Sequence, residues 1–396
     1  MAEALSSSTK VGILGAGAMG SGIAQVAAVA GHEVVVADAQ AAATEKAKRG
    51  IQKALARQVE KSRMSADEAR DVEARLRFVE SSGDFSAFRD CGLVIEAIVE
   101  DLEAKQRAFK GIEAVVGESC VLATNTSSLS VAALGSACAH PGRVIGLHFF
   151  NPVPVLPLVE VVAAIASDEA VVRGARSLVD GWGKVTVLAA DTPGFIVNRV
   201  ARPFYGESLR MLEEGIADVP TIDWALTALG GFRMGPFELM DLIGNDVNYA
   251  VTRSVFEALG FDPRYRPSVT QRRMVEANRL GRKTGVGYYD YRDGAQRPPA
   301  TENHALGGLV LDRVLTMLIN EAADAVLFRV STAADIDLAM TKGVNYPKGP
   351  LAWADEIGIA AVYQRLEALQ DEYGEDRYRP SALLRRMAHE GRRFHS

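Results

Sequence analysis

Cysteine is scarce in this chain. Only Cys91, Cys120 and Cys138 occur among 396 residues, too few and too scattered for a disulfide framework or a thiolate metal site. The six histidines, at 32, 140, 148, 304, 389 and 395, show no ligand spacing with acids or cysteines, so no metal is expected. No uninterrupted apolar run approaches the roughly 18 residues of a membrane span. The N-terminal residues also lack the apolar core of a secretion signal. No membrane partner is expected, and a reducing, cytoplasmic setting follows. Positive charge is not in excess either: the net charge is −6, which argues against nucleic acid as a primary ligand. Basic residues thicken only near the C-terminus (Arg385, Arg386, Arg392, Arg393), behind acids, as on a solvated helix face. What is present, 48% hydrophobic and 24% charged residues, suits two or three domains with real cores.

Glycine, by contrast, is placed with purpose. Lys10-Val-Gly-Ile-Leu-Gly15-Ala-Gly17-Ala-Met-Gly20 runs a short apolar strand into glycines spaced G-x-G-x-x-G, and the alanine-rich stretch from Ser21 continues as a helix. Gly15 permits the tight turn, Gly17 lets the backbone approach a pyrophosphate, and Gly20 lets helix and strand pack closely. The helix N-terminus then offers unpaired amides to the phosphates. A second strand, Glu33-Val-Val-Val-Ala-Asp38, ends on an acid about 20 residues beyond the glycines, where a carboxylate accepts hydrogen bonds from a ribose diol. Such a carboxylate repels a 2′-phosphate, so NAD is favoured over NADP.

The strand–helix alternation continues through Leu93-Val-Ile-Glu96-Ala-Ile-Val, a charged helix from Glu100 to Glu113, and Val121-Leu-Ala-Thr124 with its hydroxyl-rich loop Asn125-Thr-Ser-Ser128. Loops at the carboxyl ends of parallel strands are where such sheets bind ligands. Between Asp38 and Leu93 a long polar helical region is expected, roughly Thr44 to Arg77. Its cations give either a solvated helix or a basic edge for a phosphorylated substrate. Further on, Val144-Ile-Gly-Leu-His148-Phe-Phe and Leu158-Val-Glu160-Val-Val read as two strands separated by Asn151-Pro-Val-Pro. His148 and Glu160 lie equally far from Pro154, so an antiparallel return brings them together. An imidazole beside a carboxylate is a general base with a fixed tautomer and a supported cation.

At Asp191-Thr-Pro-Gly-Phe-Ile-Val-Asn198-Arg199 the alternation stops and long helices begin. Internal repetition then appears. Asn198-Arg199-Val200 is echoed by Asp312-Arg313-Val314, and Gly235-Pro-Phe-Glu by Gly349-Pro-Leu-Ala. Arg264-Tyr-Arg-Pro-Ser268 recurs verbatim as Arg377-Tyr-Arg-Pro-Ser381. An offset of about 114 residues implies a duplicated helical domain. The expected organisation is a doubly wound, Rossmann-type α/β domain over 1–190, then two all-α domains related by duplication. These span 191–291 and 304–396, joined by a polar link over 292–303. The second copy is expected to be structural.

These motifs together resemble the L-3-hydroxyacyl-CoA dehydrogenase family. The resemblance rests on the glycine loop, Glu96-Ala-Ile-Val-Glu100, Asn125-Thr-Ser-Ser-Leu, His148-Phe-Phe-Asn-Pro, Leu158-Val-Glu-Val, Asp191-Thr-Pro-Gly-Phe-Ile-Val-Asn-Arg and Gly235-Pro-Phe-Glu. It implies that His148 takes the proton of a substrate 3-hydroxyl and that Glu160 orients it. It implies that Ser127 and Asn198 hydrogen-bond the reacting oxygen, and that Gly15, Gly17, Gly20 and Asp38 hold the adenosine half of NAD. Glu100, Lys105, Ser127, Asn151 and Lys283 match positions lining the nicotinamide side or the closing cleft, and Lys61 matches one that meets CoA. A simple surface pair is the plainer alternative for Glu100 and Lys105. Single-copy members form dimers through the helical domain. The second copy here therefore implies a monomeric pseudo-dimer, with a homodimer as the alternative. The activity implied is NAD-dependent oxidation of (S)-3-hydroxyacyl-CoA, of 3-hydroxybutyryl or 3-hydroxyadipyl type. The alternative on the same fold is a free hydroxy acid or sugar acid.

Overall fold

The computed structural model describes residues 5–395. Its β-branched apolar runs pair into one eight-stranded sheet, whose central strands, covered on both faces, have no polar alternation to show. In chain order the strands are β1 (Val11–Leu14), β2 (Val34–Asp38), β3 (Leu76–Glu80), β4 (Leu93–Glu96), β5 (Val121–Thr124), β6 (Val144–Phe149), β7 (Leu158–Ala163) and β8 (Val185–Ala190). Helices α1 (Ala18–Val29), α2 (Ala41–Glu60), α3 (Ala66–Ala74), α4 (Leu102–Glu113), α5 (Val131–Gly135) and α6 (Glu169–Gly181) make the connections. The spatial order is β3-β2-β1-β4-β5-β6-β7-β8, parallel except where β6 meets β7. Order reverses between β1 and β4, so a crevice opens beyond their carboxyl ends. This is a Rossmann-like domain.

The polar region expected to be helical over Thr44–Arg77 is broken twice. Helix α2 stops at Glu60, and α3 restarts from Ser65, whose side chain accepts from the Glu68 amide while the Glu68 carboxylate accepts from the Ser65 amide. Such a reciprocal cap marks a new helix rather than a continuation. Leu76–Glu80 is then a strand on the sheet edge, parallel to β2. Its half-polar sequence hides it, because an edge strand is covered on fewer sides. Strand β8, parallel to β7, was also not anticipated.

The chain divides into two compact units, residues 1–192 and 193–396. Among its described residues the second is built of helices, with isolated antiparallel bridges joining Val286 to Gly281 and Asp290. It comprises α7 (Val197–Val200), α8 (Arg202–Glu213), α9 (Val219–Trp224), α10 (Pro236–Ile243), α11 (Asn245–Ala258), α12 (Val269–Glu276), α13 (His304–Leu327), α14 (Ala333–Gly343), α15 (Pro350–Ile357), α16 (Ile359–Tyr373) and α17 (Ala382–Glu390), with short 3-10 and π turns between. The two helical domains expected from the sequence are not two separate bodies. Helix α13 packs against α8 and α9 as well as α14, α15, α16 and α17, which fuses both stretches around one core. The link over 292–303 is irregular but anchored: the Thr301 amide donates to Thr221 at 2.8 Å and Arg297 pairs with Glu238 at 3.0 Å.

Two buried ion clusters tie this unit together. Arg199 donates through Nε to Glu321 at 2.7 Å, and Arg313 through Nε to Glu207 at 3.0 Å. Tyr265 donates to Glu321, and Tyr378 to Glu207. Arg264 lies 3.7 Å from Glu321, and Arg377 lies 3.2 Å from Glu207. In each cluster the cations and the tyrosine come from one stretch and the glutamate from the other. Buried charges persist only when paired and hydrogen-bonded.

Candidate active site

The glycine loop at the end of β1 is shaped by contacts no side chain can enter. A Cβ on Gly15, whose φ is +106°, would stand 2.5 Å from the Ala97 carbonyl oxygen. One on Gly20 would stand 1.8 Å from the Gly15 oxygen, whereas Gly17 faces open space. Gly17 is also the N-cap of α1, and no side chain caps that end. The Asp38 carboxylate accepts from the Ala16 amide at 2.8 Å and the Gln40 amide at 2.9 Å. Gly15, Gly17 and Asp38 open onto a cavity of about 710 Å³ together with Ile98, Phe85 and Arg107. A cavity of this size suits a cofactor half, and an uncapped helix end with an open glycine suits its phosphates. The residues present therefore fit NAD. Phe85, with Ser81 to Gly83, escaped notice because it follows the unanticipated strand β3, and Arg107 because it sits among the charges of the expected helix α4.

On the other side of the sheet centre, β6 and β7 pair antiparallel with His148 opposite Glu160. The imidazole Nδ1 lies 2.6 Å from Glu160 Oε2, with both side chains buried. The Phe150 ring sits 4.5 Å from the imidazole. The Phe149 amide donates to the Asn125 side-chain oxygen at 2.9 Å, fastening the loop after β5 to the histidine strand.

That loop has an acidic anchor. Glu100 Oε1 accepts from the Thr126 hydroxyl at 2.6 Å, the Ser127 amide at 3.0 Å and the Ser128 hydroxyl at 2.9 Å. Lys105 reaches Glu100 at 3.1 Å and Glu96 at 2.7 Å, and the Thr124 hydroxyl donates to Glu96 at 2.8 Å. Burial pushes the Glu100 carboxyl up, but Lys105 and the Thr126 and Ser128 hydroxyls outweigh it and hold the group below its ordinary value. The reading of Glu100 and Lys105 as a surface pair is thus overturned. Lys105 is only 1% exposed, held between two carboxylates from different elements. Asp191 fixes the far end of the loop, accepting from the Val131 amide at 3.0 Å and the Ala132 amide at 2.7 Å. Glu96, Thr124, Thr126, Ser128 and Asp191 were not singled out as site residues from sequence, although all but Thr124 lay in motifs that were.

The remaining candidates lie in a turn, at a helix end and in the helical unit. Asn151 is exposed in the turn after β6, and Lys61 is exposed at the end of α2. Asn198 lies on α7 in the helical unit, with its carbonyl accepting from Arg202 at 2.8 Å. Lys283, in the same unit, pairs with Asp246. Burial pushes the Cys91 and Cys120 thiols up to about 12 and Cys138 to about 11, so none is poised as a nucleophile. Among the described residues no cluster of three or more His, Cys, Asp or Glu could hold a metal, and no helix is long and apolar enough to cross a membrane.

A family model for the 3-hydroxyacyl-CoA dehydrogenase NAD binding domain matches residues 10–192, and the model for the C-terminal domain of the same family matches 194–291 and 308–394. The chain belongs to the 3-hydroxyacyl-CoA dehydrogenase family. It is 38% identical to the 3-hydroxyadipyl-CoA dehydrogenase of Escherichia coli K12, over 96% of this chain and 97% of that one. It is 40% identical to the 3-hydroxybutyryl-CoA dehydrogenase of Bradyrhizobium diazoefficiens, over 73% of this chain and 97% of that one. The crystal structure of 3-hydroxybutyryl-CoA dehydrogenase from Escherichia coli K12 superposes with a TM-score of 0.92 at 37% identity, covering 97% of this chain and 98% of that one. Like its family, this 3-hydroxyacyl-CoA dehydrogenase homologue is an NAD-dependent oxidoreductase. These relatives support the CoA-ester reading rather than the free hydroxy acid alternative.

Proposed function

We propose that this protein oxidises (S)-3-hydroxyacyl-CoA esters to 3-oxoacyl-CoA, with His148 and Glu160 as the general-base pair. The observation that carries this reading is the 2.6 Å contact between His148 Nδ1 and Glu160. With Nδ1–H donating to the carboxylate, Nε2 keeps its lone pair for the proton of the 3-hydroxyl. Glu160 then supports the imidazolium that forms. A positioned base of this kind contributes about 10²- to 10⁴-fold. Bound NAD supplies the hydride acceptor at C3 of the substrate. Gly15, Gly17, Gly20 and Asp38 would hold its adenosine half. Ser127 and Asn198 hold the reacting oxygen, a positioning effect. Glu100 and Lys105 serve by fastening the Ser127 loop, Asn151 and Lys283 by lining the nicotinamide side, and Lys61 by meeting CoA. A reducing, cytoplasmic setting belongs to the same reading, supported by three buried free thiols.

The helical unit is read as a duplicated domain, 191–291 and 304–396 joined over 292–303, forming a pseudo-dimer within one chain. The reciprocal clusters around Glu207 and Glu321 support this, because residue i meeting j while j meets i is the signature of a two-fold contact. Two further pairs agree. Asp223 accepts from the amides of Phe237 and Glu238, as Asp337 does from Leu351 and Ala352. Asp241 accepts from Tyr288 and Tyr289, as Asp355 does from Phe394 and His395.

The test is NADH oxidation with acetoacetyl-CoA beside free acetoacetate. Turnover of the ester alone is expected, and turnover of the free acid alone overturns the reading. His148→Ala should lower kcat by about 10²- to 10⁴-fold with NADH binding, followed by fluorescence, retained. Undiminished turnover removes His148 from the role of base.

A further inference from the structure

Two buried charges and a partly exposed one meet beyond the carboxyl ends of β4 and β5, and they do not cancel. The Glu96 carboxylate, 1% exposed, accepts from the Ile98 amide at 2.7 Å, Lys105 at 2.7 Å and the Thr124 hydroxyl at 2.8 Å. Glu100 accepts from the Thr126 and Ser128 hydroxyls and from the Ser127 and Ser128 amides, and it pairs with Lys105. All of these partners are donors. That is the company an ionised acid keeps, since a protonated one has a hydrogen of its own to place. Among the described residues Lys105 is the one cation paired with either carboxylate. Two anions against one cation leave a single negative charge unanswered.

Its location gives that charge a use. Ile98, whose amide Glu96 holds, lines the cavity of about 710 Å³ beside the glycine loop. On the other side Glu100 holds Thr126 to Ser128. That segment continues from Asn125, whose side chain accepts from the Phe149 amide next to His148. The cluster thus bridges the cavity that fits the adenosine half of NAD and the strand of the proposed base. What bound NAD supplies is a hydride acceptor whose ring is a cation when oxidised and neutral when reduced. The phosphates are the same in both forms, so a nearby fixed charge tells the two apart only through the ring.

We propose that Glu96 sets the preference between oxidised and reduced NAD, by leaving one negative charge at the nicotinamide end of the site after Lys105 has been neutralised. The proposal rests on the reading that places Glu100 and Lys105 on the nicotinamide side. In the oxidation His148 takes the hydroxyl proton and gains a positive charge. The hydride, with its two electrons, goes from C3 to the cofactor and cancels a positive charge there. Glu160 favours the charge on the imidazole, and the Glu96 cluster favours it on the cofactor. The two acidic sites pull one migrating charge in opposite directions, so neither side of the reaction becomes a trap.

The measurement is the ratio of Kd for NAD to Kd for NADH, by titration calorimetry on the full chain without substrate. Glu96→Gln removes the charge and keeps the shape. Its oxygen can still accept from Ile98 and Lys105, and its amide nitrogen can face the Thr124 hydroxyl. A unit charge acting across about 10 Å of a partly buried site is worth about tenfold in an equilibrium constant. Glu96→Gln should raise the ratio by about that factor. Glu100→Gln removes a charge from the same cluster and should raise it too, and it carries the test where Glu96→Gln does not fold. Thr124→Val removes a hydrogen bond to Glu96 but no charge, and should leave the ratio within about twofold of wild type whatever happens to each affinity. Equal changes in both Kd values on Glu96→Gln make the residue a packing element and overturn the inference, with NAD-dependent activity left standing. So does a ratio that rises as much in Thr124→Val. A wild-type protein that binds neither form overturns the cofactor reading itself.

Discussion

The two helical stretches, 194–291 and 308–394, agree where they face each other and differ where they do not. Arg199, Glu207, Arg264 and Tyr265 have counterparts in Arg313, Glu321, Arg377 and Tyr378, and each side supplies what the other side's glutamate needs. A change on one side of such a cluster strands a buried charge on the other, which holds both halves to the same residues. Away from the shared surface the constraint lapses. Arg202 stands against Thr316 and Asn248 against Val362. Where the first stretch has Tyr289 donating to Asp223, the second has His395 beside Asp337 at 2.8 Å. The seam residues match between the stretches, and the residues away from it do not.

The firmest way to break this comparison is at the seam. Glu207→Ala and Glu321→Ala should each cost about 3–5 kcal/mol of stability by leaving buried arginines unpaired, measured by chemical denaturation. Near-equal losses sharpen the two-fold reading, whereas a loss confined to one variant ends it. A smaller effect is expected from Asp223. Burial pushes its carboxyl up to about 6, although the Phe237 and Glu238 amides and the Tyr289 hydroxyl oppose this. A carboxyl raised on folding contributes stability that is complete below its unfolded value of 3.8. That contribution is lost as pH rises through about 6. Relative to Asp223→Asn, the wild-type protein should therefore lose about 3 kcal/mol over that window. Asp337 is also raised by burial, with His395 opposing, and Asp337→Asn should show a shallower difference. A steeper one contradicts the contrast between tyrosine and histidine partners. The least effect is expected from Asp312→Asn, at the counterpart of Asn198. Asp312 is exposed and 3.2 Å from Arg365, a surface pair of little energetic weight. Its kcat/KM should stay within about twofold of wild type, and a large change would contradict a purely structural second stretch.

Much of this architecture was legible because local rules were enough. The glycine loop names its own turn and its own ligand. The equal spacing of His148 and Glu160 about Pro154 becomes a cross-strand register, since side-chain direction in a strand depends only on counting. What stayed hidden depended on distant partners. Leu76–Glu80 has the charge density of the helices before it, and only the neighbouring β2 makes it a strand. Lys105 reads as a solvated helix cation, and its burial follows from Glu96 in β4 and Glu100 in the following loop. Arg202, Asn248, Thr252 and Gln271 are buried polar residues drawn from three helices, each ordinary in its own segment.

Asp38 has a further consequence for anyone redesigning cofactor choice. Its carboxylate already accepts the Ala16 and Gln40 amides, so it braces the glycine loop besides the ribose contact proposed for it. Exchanging it for a cation to welcome a 2′-phosphate removes the brace along with the repulsion. A switch of preference at this position alone should therefore yield a looser loop that binds both dinucleotides poorly. A replacement acceptor for the Ala16 amide has to be built in before the new specificity can show.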